Sequence, residues 1–266
     1  MLAFGAFDSG GTGYGDMPKS KLLLALIGIA LPLFWLVALI YARVAPLRFS
    51  EFTNEDGPIE NLQVIILLAG CVVGAAIARK LYCRNQKSWA FLYSLGTVGL
   101  FFVAGEELSW GQRIFHEQTP EWLMPYNLKH ETNVHNLIGF SFVFGLLGTV
   151  IPILMAGLSV VSTVLPRKIL DQWNGHLWIP HPVLIPSALC SIFNRVAKPV
   201  YFAIHPGIKR APYPYFQQEV GELIFYLLIV GFLLTVFARI KREKESQVTS
   251  DKKENNKNSF SAFLAS

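Results

Sequence analysis

The run VGELIFYLLIVGFLLTVFA at 220–238 contains one acid, Glu222, and no base, and Arg239, Lys241, Arg242 and Lys244 follow it. As a helix it rises roughly 28 Å at about 1.5 Å per residue, close to the ~30 Å of a bilayer's hydrocarbon layer. Four further apolar runs have the same character, at 22–44, 59–78, 89–104 and 135–157. A sixth, at 183–204, is weaker because Pro186, Arg195, Lys198 and Pro199 interrupt it. This pattern predicts an all-α, polytopic transmembrane helix bundle of about six spans, five strong and one weak.

Composition agrees. Of 266 residues, 52% are apolar and only 15% charged, against about 25% charged in an ordinary soluble domain. That excludes a water-surrounded globule, a secreted disulfide scaffold and a coiled coil. The 23 basic residues outnumber the 18 acids, but they sit at the ends of apolar runs, where they set topology rather than bind nucleic acid. Cys71, Cys83 and Cys190 show no metal-like spacing, and no disulfide is expected. The chain divides into a mobile leader (1–18), a membrane helical domain (19–242) and a disordered cytoplasmic tail (243–266). Met17 is an alternative start.

Positively charged ends face the cytoplasm. Lys19 and Lys21 precede the first span, Arg79, Lys80, Arg84 and Lys87 follow the second, and Arg167 and Lys168 follow the fourth. With the basic group after 238, these ends belong inside. Both termini are then cytoplasmic, and the weak segment becomes span five, running outward. The expected location is the bacterial inner membrane.

That orientation carries most of the acids to the outer ends of the spans. Asp56 and Glu60 open span two, with Asp56 as expected N-cap, and Glu219 and Glu222 open the last span. Some of these suit the positive end of a helix dipole without further purpose. Glu106 and Glu107 do not. They close span three, which is expected to continue helically through GEELSWGQR, as adjacent like charges at the negative end of a helix. Ionisable residues at that depth usually face the bundle interior and mark a site. His135, in ETNVHN, stands where span four is expected to enter, with Glu131 one turn earlier and Asn133 and Asn136 beside it.

These residues define a candidate site. Glu107 or Glu106 would activate water, His135 would shuttle protons, Asn133 or Asn136 would stabilise an oxyanion, and Arg113 would hold a charged group. A metal version uses Glu60, Glu107, His135 and Glu222 as ligands for zinc or manganese. Glu60, Glu106 or Glu107, His135 and Glu222 are expected to line one outer funnel.

With its EDGPIEN, GEELSWGQR, ETNVHN and QEVGEL blocks, the chain resembles a group of uncharacterised bacterial polytopic membrane proteins. A fainter resemblance is to CAAX-protease-like membrane glutamate proteases, on Glu106, Glu107, Arg113 and His135, with a longer gap before Arg113 than that family has. This second resemblance implies hydrolysis at a paired-glutamate site. No Walker loop, G-x-G-x-x-G, H-E-x-x-H or G-x-S-x-G motif is found. Three classes of function follow: a hydrolase acting on a lipid or membrane-associated peptide, a carrier or ion-coupled transporter, and a non-enzymatic scaffold or assembly factor. The partner common to all is the lipid bilayer.

Overall fold

The computed structural model describes residues 18–54, 57–127, 131–134, 137, 140–207 and 218–265. Its helices are α1 (Pro18–Val44), α2 (Pro46–Thr53), α3 (Pro58–Cys83), α4 (Lys87–Glu107), α5 (Gln112–Phe115), α6 (Phe140–Val164), α7 (Arg167–Gln172), α8 (Gly175–Trp178), α9 (Ile185–Ile204) and α10 (Gln218–Ala265). Among the described residues there is no strand. The molecule is an all-α transmembrane bundle. Among the described residues, five segments are long and apolar enough to cross a bilayer, in α3, α4, α6, α8 with α9, and α10, and α1 contributes the apolar stretch Gly28–Val44.

Proline sets several starts. Pro46 and Pro58 occupy the first turns of α2 and α3, where the missing N–H costs nothing and the fixed φ suits a helix. The N-cap of α3 is Gly57; Asp56, the expected cap, lies outside the described residues. The α3–α4 turn uses Asn85 in the left-handed region (φ 59°), which asparagine tolerates better than most residues.

The apolar core forms around α10. Leu233, Val236 and Ile240 pack with Ile77 and Leu81 of α3 and Ala90 of α4. Leu228 meets Met155 and Ala188, and Val220 and Ile224 meet Ala42 and Phe49. Because lipid is as apolar as leucine, close packing rather than water exclusion holds such helices together. Gly70 shows how. A Cβ there would come within 3.0 Å of Val230 on α10 and 3.2 Å of Leu100 on α4, so the glycine lets both neighbours approach α3.

Polar contacts sort the helix ends into two groups, as the charge pattern requires. At one end, Arg84 pairs with Glu243 at 2.9 Å and donates to the Ile240 carbonyl at 2.6 Å. Arg239 donates there to the carbonyls of His176 (3.1 Å) and Ile179 (2.8 Å). At the other end, Glu60, Glu107 and Glu219 meet. Helices α3, α4 and α10 thus alternate in direction.

Several boundaries differ from expectation. The weak segment, expected as span five, is helix α9 with Pro199 accommodated inside it. Span three does not continue helically past Glu107, because Ser109 (φ 46°), Trp110 (φ 52°) and Gly111 (φ 89°) turn left-handed. That turn brings the Trp110 indole back over Gly105, where an added Cβ would meet the ring at 2.9–3.0 Å. Span four begins at Phe140 rather than at 135. The tail, expected to be disordered beyond 242, continues as helix to Ala265. Residues 1–17 of the expected leader lie outside the described residues.

Candidate functional site

Three helices bring three carboxylates together. Glu60 stands in the first turn of α3, Glu107 ends α4, and Glu219 is in the first turn of α10. One oxygen from each lies within 4.8 Å of the other two, and all three residues are buried. Gln63, one turn beyond Glu60, is fully buried. Its Nε2 donates to the Glu219 carbonyl at 2.8 Å and to Glu219 Oε2 at 3.3 Å. Its Oε1 is buried without a hydrogen-bond partner among the described residues. Across the cluster, the Tyr226 hydroxyl donates to Glu107 Oε1 at 2.6 Å.

Glu222, expected with Glu60 and Glu107 as a metal ligand, is engaged differently. Its Oε1 accepts from Gln218 Nε2 at 2.9 Å and lies 3.7 Å from Arg195 on α9. Glu219 takes the third place. The two acids are three residues apart on one helix, and the packing of α10 against α3 turns Glu219 toward Glu60. Arg195 itself lies across Gly148 of α6, where a Cβ would meet the guanidinium at 2.9–3.1 Å.

Glu106 is also redirected. It is 1% exposed, its Oε1 accepts from Trp110 Nε1 at 2.5 Å, and its Oε2 accepts from the Val134 backbone N–H at 2.6 Å. Both oxygens brace the connecting segment, which fits a structural role better than a water-activating one. Asn133, expected as an oxyanion donor, is occupied as well. Its Nδ2 donates to Glu131 Oε2 at 2.6 Å, and its carbonyl accepts from Asn127 Nδ2 at 3.0 Å. Gln112 ties the same segment together by donating to Thr119 at 2.9 Å and accepting from the Thr132 N–H at 2.6 Å. His135, Asn136 and the Arg113 side chain lie outside the described residues.

Beside the carboxylates a cavity of about 620 Å³ runs between α4, α6 and α10. This is within the roughly 300–1,000 Å³ usual for ligand sites. Its polar end carries Glu106, Glu107, Glu222, Tyr226 and Arg195; its length is lined by Leu100, Val103, Leu147, Ile151, Ile229 and Phe232. On α4, Gly96 and Gly99 face it with nothing within 4 Å of an added Cβ. Helix α4 packs chiefly along α3, which leaves its other side to border this cleft.

Sequence reasoning named Glu60 and Glu107 and missed Gln63, Glu219 and Tyr226 as partners. Gln63 carried a usable signal: it is an amide inside the apolar run of α3, one turn from Glu60 on the same face. No protein family, curated protein or solved structure matches the chain.

Proposed function

We propose that this protein is an integral membrane hydrolase that cleaves a lipid ester, with its site at the outer edge of the bacterial inner membrane and both termini cytoplasmic. The observation that carries the reading is the cleft itself: an apolar channel ending at a buried carboxylate, a tyrosine hydroxyl and an arginine. An acyl chain matches the apolar length, and a polar headgroup matches the end bearing Arg195 and Glu222.

In this reading Tyr226 holds the Glu107 carboxylate in place, and that carboxylate accepts a proton from water as the hydroxide adds to the ester carbon. The proton then passes to the departing alcohol as the carbon–oxygen bond breaks, and the products are an alcohol and a carboxylic acid, which releases its own proton to water. Arg195 supports the reading as a positive group level with the site on α9, suited to a phosphate or a developing oxyanion.

The test uses the full chain in nanodiscs of mixed bacterial phospholipid, with fatty acid release followed by mass spectrometry. The expected result is release by the native protein and a loss of about 100-fold or more for Glu107→Gln, the scale of a removed general base. Cleavage of a membrane peptide with no lipid turnover would replace the lipid by a peptide. Absence of both would overturn the hydrolase reading.

A further inference from the structure

We infer that Glu60, Glu107 and Glu219, with the Gln63 side-chain carbonyl, form a binding site for one hard divalent cation of the magnesium, manganese or calcium class. Two independent observations carry this. Carboxylate oxygens from three helices lie within 4.8 Å of one another, a spacing that one ion coordinating at about 2.0–2.6 Å can span. Separately, the fully buried Gln63 amide is fixed by its Nε2 against both the Glu219 backbone and its carboxylate. Oε1, on the same amide carbon, is buried as an acceptor with no donor among the described residues, next to the group that holds Glu219.

Donor chemistry selects the ion. All four donors are oxygens, and an all-oxygen set favours magnesium, calcium or manganese over zinc, which prefers nitrogen and sulfur. Compared with the set expected for zinc or manganese, Glu60, Glu107, His135 and Glu222, this oxygen set has Glu219 in the place of Glu222, and His135 lies outside the described residues. The position also favours a fixed charge. The cation would lie where α3 and α10 begin and α4 ends, joining three helices that alternate in direction. The inference does not rest on the hydrolase reading, since the site would hold its ion in a lipid-binding or scaffold protein equally well.

The experiment is a Mn²⁺ titration of the full chain in detergent after chelator treatment and without lipid substrate, with free Mn²⁺ read by electron paramagnetic resonance. The expected result is saturable binding of about one Mn²⁺ per chain, displaced by Mg²⁺ or Ca²⁺. Glu60→Gln and Glu219→Gln should each weaken it at least as much as the about 10–100-fold lost on removing an outer-shell partner. Glu117→Gln, an exposed acid in the connecting segment, should leave it unchanged. If either glutamine variant aggregates, Glu60→Asp takes its place and should weaken binding by shortening the reach of one ligand. No saturable Mn²⁺ binding by the native chain would overturn the proposal. So would binding that survives substitution at Glu60 and Glu219, or binding of zinc alone.

Discussion

The Tyr226 hydroxyl of α10 donates a 2.6 Å hydrogen bond to Glu107 Oε1 at the end of α4, and both residues are buried. Helices α4 and α10 each pack along α3, so this bond ties two neighbours of α3 to each other. Removing it with Tyr226→Phe should lower stability by about 0.6–1.7 kcal/mol, the range found for polar pairs between membrane helices. A double-mutant cycle with Glu107→Ala, which removes the acceptor, read by unfolding in mixed micelles, should give a coupling of similar size. Additive effects would show that the two side chains do not interact.

The cleft can be closed without disturbing its walls. At Gly99 an added Cβ meets nothing within 4 Å, so Gly99→Phe should project its ring into the cavity. Stability should stay within about 0.5 kcal/mol of the native protein, as for other substitutions that break no contact. Lipid turnover should fall by more than tenfold. Unchanged turnover would mean that substrate does not use this cleft.

The two adjacent glutamates should separate cleanly in experiment. Glu106→Ala strips acceptors from the Trp110 indole and the Val134 N–H, at about 1–3 kcal/mol for each buried donor left unsatisfied. Hydrogen exchange should accelerate through residues 108–127, while lipid turnover by the folded fraction falls less than tenfold. Glu107→Gln should do the reverse, with exchange nearly unchanged and turnover lost. Equal effects on both measurements would remove the distinction drawn between them.

Topology can be read with one native thiol. Cys83 is exposed, at the end of α3 beside Arg84. In intact cells an impermeant thiol reagent should fail to label it, and in inverted vesicles it should react. Glu121→Cys, in the exposed segment between α5 and α6, should show the opposite pattern. Labelling of Cys83 from outside would invert the proposed orientation.

The spans were legible because a run such as 220–238 has only one low-energy state in a bilayer, with each backbone N–H bonded within its own helix. The meeting of Glu60 and Glu107 was legible for a related reason, since charge bias placed both at the same membrane face. The choice between Glu219 and Glu222 was not. Three residues apart on a helix of about 100° per residue, they stand only about 60° from each other around the axis, so periodicity puts both on one side of α10, and only the contacts of α10 with α3 and α9 decide which acid turns toward Glu60. The roles of Glu106 and Asn133 were hidden for another reason. Their partners, Trp110, Val134 and Glu131, are brought to them by left-handed residues and turns, which apolar periodicity does not report.

The cleft lies between α4 and α6, two helices long and apolar enough to cross a bilayer, so an opening between them would lead into lipid rather than water. A molecule that reaches Glu107 by this route is already dissolved in the membrane, so the quantity that governs its capture is its mole fraction in the leaflet. Diluting the protein and its vesicles together should leave the rate per protein unchanged, whereas diluting the substrate lipid with an inert lipid should lower it in proportion. Under the proposed lipid hydrolysis, encounter would then be a two-dimensional search, with the composition of the surrounding leaflet setting the rate.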